Sequence, residues 1–243
     1  MTSRFRAFAG SGVEHSCATC KWFEQCPTPA ASAADSVELQ QAFRTVPSRH
    51  IFCRSHDLDD AVPIICEGWA ASILMLSDGS RQILSFLLPG ELISTALLFA
   101  PRHGQCVEAI TNVRYCTFNR RSLRRMLLKR PDPFETLAKA WIEEKERSDQ
   151  LIVDLGRRAA DERIARLIMN LHERLRQRGH IRSETMEMEF PLRQHHIADA
   201  TGLTPVHVSK VLSDFKRKAL IELFERSLTI SDPAGLRRIA QMR

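Results

Sequence analysis

The chain has 243 residues, 44% hydrophobic and 26% charged, enough apolar content for one large or two modest domains, which excludes a disordered or fibrous protein. Its formal net charge of +6 suits an anionic partner such as DNA, although charge alone is a weak sign at this size. No stretch approaches twenty apolar residues and the first ten lack the core of a secretory signal, so a cytoplasmic protein without a membrane partner is expected, its seven cysteines reduced.

Residues 1–30 form an arm rich in Ser, Ala, Gly and Cys, with too few apolar residues to fold alone. Cys17, Cys20 and Cys26 are spaced Cys-x2-Cys-x5-Cys in it. Thiolates are good ligands for iron or zinc, and this spacing offers three from one loop. A fourth ligand is needed. No further Cys or His pair follows at zinc-module spacing, and His15 is the only nearby histidine. The spacing by itself leaves an iron-sulfur cluster, zinc and bare redox thiols open.

Residues 31–130 hold short apolar runs at Ile51–Cys53, Val62–Cys66, Trp69–Leu76, Gln82–Leu88 and Cys106–Ala109, separated by Gly68, Asp78-Gly79, Pro89-Gly90 and Gly104. This predicts an antiparallel β domain. On the residues alone, Cys53, Cys66, Cys106 and Cys116 read as small buried hydrophobes. The basic run from Arg120 to Arg130 reads first as a solvated helix face, and second as a surface for an anionic cluster, DNA or polymerase.

Helical spacing takes over in residues 131–156. Phe134, Leu137, Trp141, Lys145, Ser148, Ile152 and Leu155 fall three and four apart along one stripe, which predicts a long helix with a seam, ended or bent at Gly156. Residues 157–243 then offer a helix from Asp161 to about Arg178, a strand at Met186–Phe190 and a hairpin from Ile221 to Ile230. Between Gln194 and Leu212 the pattern fits a helix-turn-helix. Ala198 is small where two helices approach, Gly202 suits the turn, Thr204 is a good N-cap and Pro205 a good first helical residue. On the second helix Thr204, Val206, His207, Ser209 and Lys210 are the candidates for double-stranded DNA, with Lys216, Arg217 and Lys218 extending the positive end. No nucleophile with a base at motif spacing, phosphate-binding glycine loop or paired carboxylates points to an enzyme.

In this order, a β domain, a long helix and a helix-turn-helix with a hairpin resemble the CRP/FNR superfamily of bacterial transcription regulators over nearly the whole chain. Pro89-Gly90-Glu91-Leu92 resembles its β-roll turn, Ala160-Asp161-Glu162-Arg163-Ile164 the helix after its dimer helix, and Gly202-Leu203-Thr204 with Ser209-Lys210 its recognition motif. The resemblance implies an α+β fold: a cyclic-nucleotide-binding-like β-roll, a long dimerisation helix and a C-terminal winged helix-turn-helix. It also implies a homodimer on a palindromic promoter site, working with RNA polymerase as an activator.

Within the superfamily the arm is most similar to the oxygen-responsive FNR branch. That similarity implies a 4Fe-4S cluster on Cys17, Cys20, Cys26 and, as fourth ligand, Cys116, with oxygen or nitric oxide as the signal. A zinc or thiol switch, or a small-molecule-binding β-roll protein that does not bind DNA, are the rivals. The sequence after Gly90-Glu91-Leu92 lacks the Arg-Ser-Ala phosphate clamp of the cyclic-nucleotide branch, which argues against cyclic AMP. Two departures from the FNR pattern stand out. Val206 and Lys210 replace a glutamate and an arginine of the reading helix, so the half-site is expected to differ or to be read less strictly. Lys145 and Ser148 replace an isoleucine and an aspartate of the seam, which predicts a marginal dimer unless a partner's Glu144 or Glu146 meets the lysine.

Overall fold

The computed structural model describes residues 42–52, 61–99, 106–129, 131–182 and 185–241. The first half is a roll of two antiparallel sheets. Strands β1 (Ala42–Val46), β3 (Ala61–Glu67) and β7 (Val113–Asn119) form one, in the order β1-β7-β3. Strands β2 (Ile51–Phe52), β4 (Ala70–Met75), β5 (Arg81–Leu87) and β6 (Cys106–Ala109) form the other, in the order β2-β6-β4-β5. Side chains alternate across each strand, so each sheet has two faces to cover. Phe52, Ile65, Leu87, Val107 and Tyr115 fill one cluster shared by both sheets. The other face of β3 and β7 carries Val62, Ile64, Cys66, Cys116 and Phe118.

β1 and β7 are not among the apolar runs of the sequence reading, and for β7 the reason is physical. β7 pairs on both sides, with β1 and β3, and is buried at both Tyr115 and Cys116, so it lacks the alternation that marks a half-exposed strand. Gly68 closes the β3–β4 turn at φ +81, and a Cβ there would stand 2.1 Å from the Asn112 carbonyl oxygen. Only glycine fits.

Helix α1 (Arg120–Lys129) lays Leu123 and Leu127 on the Cys116 face of the roll, while Arg121, Arg124 and Arg125 stay exposed. The long helix α2 (Pro131–Arg157) runs straight through Gly156. The break comes at Arg158-Ala159, where Ala159 is extended and its amide donates to the Glu162 carboxylate at 3.3 Å. α3 (Ala160–Gln177) follows, buried along Ile164, Ile168, Leu171 and Leu175, with Asp161 and Glu162 favourably placed at its positive end.

The remaining segment forms β8 (Glu187–Glu189), α4 (Gln194–Thr201), α5 (Pro205–Arg217), the hairpin β9 (Ile221–Phe224) and β10 (Ser227–Ile230), and α6 (Pro233–Ile239). The three strands make a small sheet ordered β8-β10-β9. α6 is unanticipated, although its Asp232 N-cap and Pro233 are ordinary start signals. Ile168, Ile197, Phe215 and Leu228 of this half share one buried cluster with Trp69, Ile73, Ile83 and Phe86 of the roll. Burial of such side chains stabilises by about 1.5–3 kcal/mol each, so the two halves hold each other strongly.

Charged side chains reinforce the joint. Arg81 on β5 reaches Asp199 on α4 and Glu108 on β6, each at 2.5 Å. Glu91, 4% exposed, accepts from Arg174 at 2.6 Å and lies 3.3 Å from Arg178. Burial pushes this carboxyl up, but Arg174, Arg178 and Arg147 outweigh it and hold it at about 2. A depressed acid of this kind stabilises the fold above its unfolded pKa near 4.5, and the gain disappears as pH falls through about 2. Urea unfolding between pH 5 and pH 2 should therefore lose on the order of 3 kcal/mol that Glu91→Gln, already destabilised at pH 7, does not lose again.

Candidate nucleic-acid interface

The turn between α4 and α5 is built as its residues require. Gly202 sits at φ 65, ψ 35 and its amide donates to the Ala198 carbonyl. A side chain there would be strained, and its Cβ would stand 3.0 Å from Leu155 Cδ2. Thr204 Oγ1 accepts from the His207 amide at 3.2 Å, and Pro205 opens α5. One face of α5, Val208, Val211, Leu212 and Phe215, is buried. The opposite face leaves Thr204, Val206, His207 and Lys210 exposed, with Ser209 half-buried between them. Val206 is 80% exposed, an apolar side chain set out in solvent on a helix whose apolar work is done elsewhere.

Lys216, Arg217 and Lys218 continue the positive charge to the end of α5, where Arg217 pairs with Asp214 at 2.8 Å. The hairpin of β9 and β10 adds two residues that the sequence reading passes over. Phe224 is 75% exposed, and Arg226 at the tip is held by Glu189 at only 3.5 Å. Both lie at a wing tip, where a turn between two short strands was readable but its role was not.

His196, on α4, is buried and not part of the exposed face of α5. His196 Nδ1 accepts from the Arg193 amide at 3.1 Å. Burial first, then the charges of His195, Arg81, Arg193 and Arg49, push His196 down to about 3, so it stays neutral at ordinary pH.

The stripe on α2 divides. Phe134, Trp141, Lys145, Ser148 and Ile152 are exposed, Trp141 to 63%. Leu137 is only 6% exposed and packs with Leu123 and Leu127 of the same chain. Phe134, Trp141, Ser148 and Leu155 recur every seventh residue, Lys145 and Ile152 flank them on one side, and Leu137 falls on the other flank, toward the roll. Leu155 is half-buried against the Gly202 turn. Lys145 pairs with Asp149 of its own helix, so its charge is already met at i,i+4. Glu144 is turned away from the stripe and accepts from Ser94 and Thr95 of the roll.

Cys17, Cys20 and Cys26 lie outside the described residues. Cys116, on β7, is 2% exposed among Ile64, Leu92, Leu98, Phe118, Leu123 and Leu137. Among the described residues no three His, Cys, Asp or Glu side chains come together as a metal site. Cys66 shares the cluster of Cys116 as a buried side chain, and Cys106 is half-buried; Cys53 lies outside the described residues. No described helix is long and apolar enough to cross a membrane.

Residues 162–239 match the Crp-like helix-turn-helix domain family and residues 43–130 the cyclic nucleotide-binding domain family. The chain is 32% identical over 194 residues to the nitrogen fixation regulation protein FixK of Rhizobium meliloti, covering 79% of this chain and 84% of that one. It is 27% identical over 228 residues to the FixK of Bradyrhizobium diazoefficiens, covering 93% and 94%. Among solved structures, FixK2 from Bradyrhizobium japonicum superposes with a TM-score of 0.73 at 24% identity, over 83% of this chain and 98% of that one.

Proposed function

Because the chain belongs to the CRP/FNR family of DNA-binding transcription regulators, we propose that it acts as a cytoplasmic homodimer on a palindromic promoter site, activating RNA polymerase, and that a 4Fe-4S cluster on Cys17, Cys20, Cys26 and Cys116 sets its affinity for DNA. The observation that supports the DNA half is α5, whose inner face is core and whose outer face leaves Val206, His207 and Lys210 exposed and Ser209 half-buried, as a helix that enters the major groove requires. Thr204 serves chiefly as the N-cap that holds the start of that helix. Phe134, Trp141 and Ile152 are exposed apolar side chains of the stripe and would meet a second α2, with Leu137, Lys145, Ser148 and Leu155 completing the proposed interface.

The regulatory half rests on donor chemistry and on where Cys116 sits. Four thiols suit iron, and the spacing in the arm supplies three of them. Cys116 belongs to the same buried apolar cluster as Leu137 of α2, so a ligand there would lie near the long helix and be shielded from water. When bound, the cluster would supply a group that oxygen or nitric oxide destroys. The chain's own part is to tie the arm to β7 while the cluster is present and to release it afterwards. The sequence after Gly90-Glu91-Leu92 lacks the Arg-Ser-Ala clamp, which supports a β-roll that does not take cyclic AMP.

The test is iron, acid-labile sulfide and visible absorption on protein purified without oxygen, then again after air. About four irons and four sulfides per chain, lost in air together with DNA affinity, are expected. Stoichiometric zinc without sulfide would sink the cluster and leave the DNA-binding role in place.

A further inference from the structure

A cleft of about 460 Å³ opens between β5, α2 and α3. It lies outside the roll: Ile83 and Phe86 of β5, which line it, belong to the core cluster shared with the DNA-binding half, whereas Leu87 belongs to the cluster between the two sheets. On α2 the cleft takes the flank of Glu143, Arg147, Gln150 and Asp154. At 3.6 residues per turn that flank is turned roughly 150° from the stripe of Trp141, Ser148 and Ile152. A second α2 packed on the stripe would leave the cleft open.

Its walls combine apolar surface with charges that do not all meet. Leu151 and Leu155 of α2 and Leu167 of α3 are half-buried along it. Asp154 is spent on Arg158 and Arg166, at 2.9 Å each, Glu173 on Arg176 and Gln177, at 2.6 and 2.8 Å, and Arg174 on Glu91. Glu146 stands exposed at the rim. Arg147 is the side chain left over. Among the described residues its nearest carboxylate is Glu143, at 3.8 Å, beyond hydrogen-bond reach. Burial first, then the like charge of Arg174, push its guanidinium below the usual arginine range, and Glu91 and Glu143 offset this only in part. Arg147 thus holds its charge at a cost that a bound anion would relieve.

We propose that this cleft is a binding site for a small organic anion, a carboxylate or phosphate carried on an apolar body, with Arg147 as the anchor of the head group and Leu151, Leu155 and Leu167 as the wall for the body. A guanidinium fork meets either head group through paired hydrogen bonds, and the volume is that of an ordinary small-molecule site. The site stands apart from the cysteines, the interior of the roll and the outer face of α5, and the proposal rests on neither the cluster nor the DNA half of the function.

The probe is anilinonaphthalene sulfonate, an aromatic anion whose fluorescence rises in apolar surroundings. It is titrated onto the full chain and then competed with octanoate, octyl phosphate, octanol and octylammonium. One saturable site per chain is expected, emptied by octanoate or octyl phosphate and not by octanol or octylammonium; the stronger of the two anions names the head group. Arg147→Met keeps an apolar stem and removes the charge, so it should weaken that anion by about tenfold or more at an unchanged melting temperature. Leu151→Trp fills the space and should abolish binding. Arg121→Ala, on the exposed basic face of α1, should change nothing. The absence of a saturable site, displacement by octanol as good as by the anions, or an affinity unchanged in Arg147→Met overturns the proposal. So does an equal loss in Arg121→Ala, which would place the probe on α1. The competition needs only the wild-type chain and decides even if a variant fails to fold.

Discussion

A Lys210→Glu protein is expected to lose specific DNA binding while keeping its fold. Lys210 is exposed on the outer face of α5, and its neighbours Val208 and Val211 do the packing, so the exchange leaves the core untouched and stability should move by no more than about 0.5 kcal/mol. At the groove it removes a cation that can meet guanine or phosphate and puts an anion in its place. A base contact of this kind is worth about 1–3 kcal/mol. The proposed dimer would present two copies, so the expected loss is roughly 2–6 kcal/mol, from about thirtyfold to beyond 10⁴-fold in Kd. Fluorescence anisotropy over a salt series separates the two roles. A phosphate contact lowers the salt slope by about 0.9 per copy and weakens all sequences alike. A guanine contact leaves the slope and relaxes preference at one base pair. Unchanged affinity would show that α5 is not the reading helix.

Val206 belongs to the same experiment. A valine 80% exposed on this face cannot accept a hydrogen bond from a cytosine, but it can pack on a thymine methyl. Val206→Ala should therefore lose discrimination for thymine at one position without changing the salt slope.

The helix-turn-helix was legible because each of its requirements falls on a residue with few substitutes. The turn needs a left-handed position, and Gly202 takes φ 65; the helix needs an N-cap, and Thr204 accepts the His207 amide. Periodicity likewise gave the extent of α2. What periodicity could not give was which flank of the stripe faces the chain's own roll. Leu137 shares the apolar character of Trp141, and only the position of α1 shows that it packs within the chain. The same limit applies to Glu144. As a charged residue beside a seam it reads as a partner for Lys145, while in space it accepts from Thr95, forty-nine residues away in sequence. Long-range polar contacts leave no local pattern. Arg174, a lone cation on a helix, is in the same way the counter-charge of Glu91 in the β-roll turn.

Cysteines carry the largest remaining difference between a residue's type and its role, and two of them allow a controlled comparison. Cys66 and Cys116 sit on β3 and β7 in the same apolar cluster, 4% and 2% exposed. Their burial is almost equal, so replacing either with alanine should cost a similar amount of stability, about 1 kcal/mol, as for one buried methyl group. Only Cys116 follows the FNR pattern of a fourth ligand. Cys116→Ala is expected to bring iron and sulfide from about four per chain to near zero and to fix DNA affinity at the air-exposed value of the wild type. Cys66→Ala should keep the full cluster and the full response to air. The pair removes the objection that any core cysteine, once deleted, loosens the fold and loses the cluster indirectly, because both variants loosen it equally. Equal loss of iron in both would return Cys116 to the core and require a fourth ligand from elsewhere. A fully loaded Cys116→Ala protein would do so with still less room for argument.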